Sequence, residues 1–165
     1  MSNKLPVSIR RAVPKDGPEI NRLIDALADY EHLERPLPDA RQRILDHCFA
    51  ENPFIEIWLA FVGDKLEPIA YSVICRTYSS FLAKQTLFME DIFVLPEYRK
   101  YGAGKALFEN NVALAKQYGC GRMEWQCLAW NDLAHGFYSH LGGRIVDGWV
   151  NYRLTEQQLN EFGKK

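Results

Sequence analysis

Residues 86–115, TLFMEDIFVLPEYRKYGAGKALFENNVALA, decide the fold of this 165-residue chain. From residue 87 to residue 95 the stretch is apolar apart from Glu90 and Asp91, which predicts a strand with little solvent exposure. Because side chains alternate along a strand, Glu90 and Asp91 are expected on opposite faces. Glu90 then shares its face with Phe88, Ile92 and Val94. A carboxylate amid apolar neighbours costs free energy unless something pairs with it or uses it, so Glu90 is a candidate functional residue.

The segment RKYGAGK, residues 99–105, follows a short turn and opens a helix. The first backbone N–H groups of a helix have no partner within the helix and lie at the positive end of its dipole. Gly102 and Gly104 let an anion approach this backbone closely. Positive charge around the turn comes from Arg99, Lys100 and Lys105. A pyrophosphate is the ligand that suits this arrangement best.

Two familiar phosphate motifs fit the segment poorly. A P-loop requires Ser or Thr after its Gly-Lys pair, and here Ala106 occupies that position. A dinucleotide fold requires Gly-x-Gly-x-x-Gly directly after its strand, but Leu107 holds the third glycine position and residues 96–101 intervene. Glu124 lies about 20 residues downstream, at the offset of a ribose-binding acid, so this alternative is weakened and stays open.

Residues 99–104 match Arg-x-x-Gly-x-Gly, the pyrophosphate loop of the GNAT superfamily of N-acetyltransferases, which bind acetyl-CoA. The chain resembles the diamine (spermidine/spermine) acetyltransferase branch of that family, in the same order from about residue 9 to about residue 154. The segments that carry the resemblance are 22–31 (RLIDALADYE), 89–94 (MEDIFV), Trp130-Asn131 and Phe137-Tyr138. The resemblance implies an α/β acyl-CoA N-acyltransferase fold, with a mixed central sheet flanked by helices, in one domain of residues 1–165.

The pattern of the remaining chain agrees with such a fold. Strands are predicted at residues 7–11, 55–62, 69–76, 122–129 and 145–154, besides the central strand. Helices are predicted at residues 18–30 with Asp16 as N-cap, at 39–49 with Asp39 as N-cap, at 104–118, after Asn131 or Asp132, and after a capping box at residues 155–158. A polar connection is expected at residues 79–85.

Composition limits the class of protein. The 20 basic and 21 acidic residues nearly cancel, so no nucleic-acid or anionic-membrane partner is indicated. No apolar run reaches the roughly 20 residues of a membrane span, and residues 1–6 lack the apolar core of a signal peptide, so a cytoplasmic protein is expected. The four cysteines are predicted to be reduced thiols, and the four scattered histidines predict no metal site.

Acetyl transfer to an amine needs a proton acceptor for the amine, a donor for the thioester carbonyl and a proton for the departing thiolate. Glu90 is the candidate base, directly or through water; the structural alternative is that it pairs with Lys or Arg, or anchors a turn. Tyr138 alone would be interpreted as a core residue, and the resemblance makes it the acid. The resemblance assigns coenzyme contacts to Ile92, Phe93, Val94, Arg99, Lys100, Tyr101, Gly102, Ala103, Gly104, Lys105, Asn131, Ala134 and Tyr138.

The resemblance also implies the acceptor groove and a homodimer. The groove positions are Tyr30, Glu31, Phe81, Glu90, Asp91, Asp147 and Trp149. Ser79-Ser80-Phe81 stands where the family carries Asp-Pro-Trp, so one acid is lost. That difference favours diamines, zwitterionic amines or lysine-like amino acids such as thialysine over long polyamines. The alternatives are acetylation of a protein lysine or N-terminus, and a coenzyme-binding protein without turnover.

Overall fold

The structure, a computed structural model, describes residues 5–164. Strands run at Val7–Arg11 (β1), Glu56–Val62 (β2), Ala70–Ser79 (β3), Lys84–Val94 (β4) and Arg122–Trp125 (β5). Helices run at Gly17–Glu31 (α1), Pro38–Phe49 (α2), Ala103–Gln117 (α3), Asp132–His140 (α4) and Glu156–Glu161 (α5). One compact unit ends at Gln126 and holds the sheet with α1–α3, and a second begins at Cys127 and holds α4 and α5.

The sheet is mixed, as the sequence predicts. Its strands lie in chain order; β1 to β4 pair antiparallel and β4 pairs with β5 in parallel. A parallel connection needs a crossover, and α3 supplies it between β4 and β5. This order places β4 between β3 and β5 in the sheet. Its central residues are mostly apolar because both faces of the strand are covered by other parts of the chain.

Two apolar layers sandwich the sheet. The layer under α1 and α2 is built from side chains that include Ile20, Leu23, Leu59, Tyr71 and Phe93. The layer under α3 includes Ala60, Val62, Ala70, Ala103 and Leu107. Because successive residues of a strand face opposite layers, β4 contributes Phe93 to the first layer and the neighbouring Ile92 and Val94 to the second.

Several predicted elements differ from the observed ones. The connection predicted at residues 79–85 is a turn, but it is shorter than predicted: residues 80–83 form the turn and the flanking residues belong to the ends of β3 and β4. β5 is also shorter than predicted. The strand predicted at 145–154 is wrong, because these residues form no regular structure. Alternating apolar residues satisfy a strand pattern, but a strand also requires a neighbour for its backbone groups. The prediction that residues 1–6 are not a signal peptide rests partly on residues 1–4, which lie outside the described residues.

The two predicted aspartate caps do not form capping hydrogen bonds, although Asp16 does hold the N-cap position of α1. Asp16 precedes α1, but its carboxylate accepts hydrogen bonds from the Arg10 guanidinium at 2.6 and 2.8 Å and from the Val13 N–H at 2.8 Å. Asp39 lies inside the first turn of α2 and pairs with Arg43. Both carboxylates are therefore engaged by an arginine guanidinium and form no N-cap bond. The predicted caps of α4 and α5 are confirmed: the Asn131 and Thr155 side chains accept from backbone N–H groups.

Removing the charge of Asp16 should destabilise the fold. The Arg10 hydrogen bonds lower the pKa of Asp16, so its stabilising effect is present at neutral pH and lost as the pH falls through its folded-state pKa. Asp16→Asn should reduce the free energy of unfolding by about 1–2 kcal/mol at pH 7, measured by urea denaturation, and by less in acid. Asp39→Asn, in an exposed pair, is the matched control and should change little. An equal loss at every pH would contradict the electrostatic account.

Candidate active site

A β-bulge at Glu90 interrupts the pairing of β3 with β4. Asp91 lies opposite Val73, whereas Met89 lies opposite the adjacent Ile74, so Glu90 has no partner of its own in β3. Val73 and Ile74 point to opposite faces of the sheet, and paired residues of antiparallel strands share a face. Met89 and Asp91 therefore face opposite layers although they are only two positions apart.

The bulge corrects the prediction for Glu90 and Asp91. Strict alternation puts them on opposite faces, with Glu90 buried among apolar side chains. Instead Glu90 is exposed, and Asp91 turns to the α1 face of β3, on which Tyr71 and Val73 lie. The Glu90 charge raises the pKa of Asp91, so the two carboxylates interact. The extra residue has brought both acids to one site.

Asp91 is the less exposed of the two acids at the bulge. Its pKa is raised to about 6, chiefly by burial and then by the charges of Glu90 and Glu31, against a hydrogen bond from Tyr71 that lowers it. The Tyr71 hydroxyl donates to Asp91 Oδ2 over 3.3 Å. Burial also raises the pKa of Glu31, the last residue of α1. The end of α1 and the bulge of β4 thus enclose negative charge in a region of low polarity, which suits a cationic ligand.

The turn after β4 exposes backbone donors at the start of α3. Lys100 and Gly102 both have positive φ, 73° and 94°. A Cβ on Gly102 would meet no atom within 4 Å, so the conformation rather than space requires glycine there. The first helical bond runs from the Ala106 N–H to the Gly102 carbonyl at 2.9 Å, which leaves the N–H groups of residues 103–105 without an acceptor in the helix. An anion can be bound by these three donors.

Two predicted cations of the turn have partners. The Arg99 guanidinium lies 4.7 Å from the centre of the Tyr30 ring, and its Nε donates to the Val94 carbonyl at 3.3 Å. Arg99 therefore connects the turn with α1, a contact that the motif does not reveal. Lys105 forms an exposed ion pair with Glu109, one turn along α3. Because Glu109 offsets the charge of Lys105, the net positive charge at the turn is smaller than the number of basic residues suggests.

One edge of β4 is open beside the bulge. β5 pairs with β4 only from Thr86 to Met89, and within residues 5–164 no strand lies on this side of residues 90–94. The stretch includes Ile92, Phe93 and Val94, to which the resemblance assigns coenzyme contacts. The backbone groups on this edge are available to a ligand that continues the ladder, as an extended amide chain can.

The other predicted contact residues lie in the unit that begins at Cys127. Asn131 Oδ1 accepts a hydrogen bond from the Ala134 N–H at 3.2 Å and so fixes the start of α4. Tyr138 lies on α4 two turns further on. Asp147 and Trp149 lie in the irregular segment after α4, with exposed side chains. Asn131 thus has the capping function that its residue type predicts.

Phe81 is not brought together with the carboxylates within the chain. It lies in the turn between β3 and β4, and its side chain is 98% exposed. Six residues of strand separate Lys84 from Glu90, a distance of about 20 Å. The difference between Ser79-Ser80-Phe81 and the family pattern therefore falls at the tip of a hairpin, apart from the bulge.

Tyr71 is the residue that sequence analysis missed. It stands in the apolar β3, in the run AYSVI, and is fully buried. A signal was present, because the hydroxyl of a buried tyrosine nearly always has a hydrogen-bond partner. The partner could not be identified without the register that brings Tyr71 beside Asp91.

Other features of the described residues do not add to this site. A surface cavity of about 390 Å³ lies on the outer face of α1, and none of the predicted site residues lines it; its lining is Pro18, Asn21, Arg22, Asp25, Ala26, Asp29, Arg35 and Arg41. In residues 5–164 no three His, Cys, Asp or Glu side chains are grouped as a metal site would require. No helix in the same range is long and apolar enough to cross a membrane.

Comparison with known families identifies the class of protein. The model of the acetyltransferase (GNAT) family matches residues 20–142, about three quarters of the chain, so the chain belongs to the GNAT family of acetyltransferases. This agrees with the mixed sheet and the turn at residues 99–104. The match spans the boundary between the two compact units.

Characterised relatives specify the branch. A thialysine N-epsilon-acetyltransferase of Sus scrofa is 30% identical over 168 residues, covering 96% of this chain and 98% of the relative. L-ornithine N5-acetyltransferase NATA1 of Arabidopsis thaliana is 28% identical, covering 94% and 87%. Spermidine/spermine N(1)-acetyltransferase-like protein 1 of Homo sapiens is 27% identical over 92% of this chain and 23% of its own length. The chain is an acetyltransferase of the spermidine/spermine-acetyltransferase-like branch.

Solved structures agree on the fold. An integron cassette protein from the mobile metagenome of V. cholerae superposes with a TM-score of 0.78 at 20% identity, covering 96% of this chain and 98% of the other. A probable acetyltransferase superposes with the same TM-score at 19% identity, covering 90% and 97%. At this level of identity the likeness shows the fold alone.

The raised pKa of Asp91 has a consequence for stability. Between pH 3.8 and about 6 the folded chain keeps a proton that the unfolded chain releases, so this group lowers stability as the pH rises through that window. Asp91→Asn should therefore be more stable than the wild type at pH 7, by roughly 1–2 kcal/mol in thermal unfolding, with the gain vanishing below about pH 4. Asp64→Asn, in an exposed loop, is the control. An Asp91→Asn chain less stable at pH 7 would show that burial does not dominate.

Proposed function

We propose that the chain transfers the acetyl group of acetyl-CoA to a primary amine of a small molecule. The observation that carries the proposal is the set of carboxylates at Glu31, Glu90 and Asp91, which adjoins the open edge of β4. The edge leads directly into a turn whose N–H groups suit a pyrophosphate. The names of the relatives support the proposal, because thialysine and ornithine are amino acids with a side-chain amine.

The coenzyme is proposed to lie along β4 and the start of α3. Its pyrophosphate accepts from the N–H groups of residues 103–105, and its pantetheine amides pair with residues 92–94. Asn131, Ala134 and Tyr138 are proposed as further coenzyme contacts, as the resemblance implies. The coenzyme supplies the acetyl thioester, and the chain supplies donors to the pyrophosphate and to the carbonyl oxygen.

Glu90 and Tyr138 are proposed as base and acid. An alkyl ammonium has a pKa near 10.4, so a proton must leave before the nitrogen can attack the thioester carbon. Glu90 takes that proton directly or through water, and its exposure at the bulge supports either route. As the nitrogen bonds to the carbonyl carbon, the carbon–sulfur bond breaks and the thiolate takes a proton from the Tyr138 hydroxyl. The nitrogen releases its second proton, which restores the Tyr138 hydroxyl through water, and Glu90 returns its proton to solvent. No covalent intermediate with the enzyme is formed.

The acceptor is proposed to be a short amine with a second charged group. Glu31 and Asp91 provide negative charge within a small volume, which favours a compact cation over an extended one. Phe81 at the hairpin tip offers no contact to the far end of a polyamine within this chain. Tyr30, beside Arg99, is proposed as a further substrate contact. Asp147 and Trp149 are proposed as substrate contacts only because the resemblance implies them.

The direct test is an amine screen with acetyl-CoA, in which the released coenzyme A thiol is detected. Thialysine, ornithine, putrescine, spermidine and a lysine-containing peptide are compared by kcat/KM. The proposal expects thialysine, ornithine or putrescine to be the best substrate. The peptide as best substrate would indicate a protein acetyltransferase, and tight acetyl-CoA binding without turnover would indicate a coenzyme-binding protein.

Three further features belong to the proposal: one GNAT domain, a homodimer and a cytoplasmic location. The match of the family model across Gln126 and Cys127 supports a single domain. The homodimer is implied by the resemblance, and the exposed apolar side chains of Trp149 and Val150 are compatible with a partner chain. The cytoplasmic location rests on sequence composition.

The pyrophosphate assignment predicts the effect of a charge at the turn. Gly104→Glu places a carboxylate beside the N–H groups of residues 103–105 and should weaken coenzyme A binding about tenfold or more. Acidic residues are favourable in the first turn of a helix, so the variant is expected to fold. Gln117→Glu makes the same charge change in the last turn of α3 and should bind normally. Calorimetry that finds equal affinity for both variants would refute the assignment.

The acid–base assignment predicts two different kinetic defects. Glu90→Gln should lower kcat by about a hundredfold near neutral pH, because the proton acceptor is lost while the shape is kept. Tyr138→Phe should lower kcat with acetyl-CoA affinity unchanged. Glu67→Gln, at an exposed position between β2 and β3, is the control and should be fully active. Normal turnover in Glu90→Gln would remove Glu90 from the mechanism, and lost affinity with normal turnover in Tyr138→Phe would reassign Tyr138 to binding.

A further inference from the structure

Tyr71 connects the core with the acidic site. Its ring is fully buried and packs edge-on against Phe93, with 6.5 Å between ring centres. Its hydroxyl donates to Asp91 Oδ2 over 3.3 Å. The ring position is therefore set by the core, and the hydroxyl presents a fixed donor to the carboxylate.

The phenol remains a donor at every physiological pH. Burial and the negative charges of Asp91 and Glu31 raise the pKa of Tyr71 well above its usual value. The hydroxyl consequently keeps its proton, and the hydrogen bond favours the charged form of Asp91. Because the bond occupies Oδ2, Oδ1 can still accept from an ammonium group. Without the bond, desolvation and the neighbouring acids would favour a protonated carboxylate, which attracts a cation far less.

Other charged and titratable groups face the same site. They are Tyr30 and Glu31 of α1, Cys75 of β3, Glu90 of β4 and Arg99 of the following turn. Glu31 and Glu90 oppose the charged form of Asp91. The guanidinium of Arg99 stacks on Tyr30 and is hydrogen-bonded to Val94. Tyr71 is thus the group that acts on Asp91 to favour its ionised form.

We propose that Tyr71 is a positioning residue for substrate recognition, whose hydroxyl holds the Asp91 carboxylate in the orientation and the ionised form that bind the substrate ammonium. The inference rests on the proposed function, since it assumes that an amine binds at Asp91. It adds a residue of the core to the residues that determine specificity. It also predicts that the pH dependence of amine affinity is set partly by the hydrogen bond between Tyr71 and Asp91, although the substrate does not contact Tyr71.

The test measures kcat/KM for thialysine between pH 5.5 and 9, in the wild type and in Tyr71→Phe. The ratio of variant to wild type cancels the titration of the substrate. We expect the ratio to be about 0.1 near pH 6, chiefly through a higher KM, and to rise severalfold by pH 9, where Asp91 is ionised in both proteins and only the loss of its orientation remains. A purely structural role of the hydroxyl would change the ratio equally at every pH.

Two controls separate this effect from a general loss of a tyrosine hydroxyl. Tyr118→Phe removes a hydroxyl that donates to the Glu56 carboxylate at 2.8 Å, apart from the bulge, and should leave the ratio at one. In an Asp91→Asn background, Tyr71→Phe should have no further effect on KM. The proposal is overturned by a ratio that does not vary with pH in an active enzyme, or by a full additional effect in the Asp91→Asn background. A wild type that acetylates none of the screened amines overturns the proposed function itself, and this inference with it.

Discussion

The register shift between β3 and β4 is the constraint on which the site depends. One extra residue in β4, at Glu90, separates the pairing of Met89 with Ile74 from the pairing of Asp91 with Val73. Without it, Glu90 and Asp91 would face opposite layers of the sheet. With it, both acids lie beside the point where β5 stops pairing with β4. The bulge thus brings two carboxylates together, next to the edge of β4 that has no partner strand. The pantetheine chain of a coenzyme can form hydrogen bonds with that edge.

The fold does not favour the charged form of the carboxylates in the acidic site. Asp91 is half-buried and interacts with the charges of Glu31 and Glu90, and desolvation is the largest cause of its raised pKa. Such an arrangement lowers stability at neutral pH, which is a common property of binding sites whose charge is to be neutralised by a ligand. Tyr71 offsets part of the cost through its hydrogen bond. A bound cationic substrate would offset the remaining cost of the negative charge. Substrate binding is therefore expected to increase the stability of the fold.

The sequence was sufficient for the larger elements, because hydrophobic periodicity and turn residues determine them locally. The turn at residues 99–104 could be assigned from its glycines, and Gly102 indeed has the positive φ that favours glycine. The bulge could not be predicted, because alternation in residues 87–95 is compatible with an unbroken register. The cap of Asp16 was mispredicted for a similar reason: its partner Arg10 lies in β1, and only the fold brings them together.

The measurement that tests this account most directly is the pKa of Asp91, by carbon-13 NMR of its carboxyl group, in the wild type and in Glu90→Gln. The account predicts a pKa of about 6 in the wild type and a lower value in Glu90→Gln, because the bulge brings the Glu90 charge close to Asp91. A wild-type pKa near the ordinary value, or one that does not change in Glu90→Gln, would contradict it. Either result would mean that the bulge does not bring the two carboxylates close enough to interact.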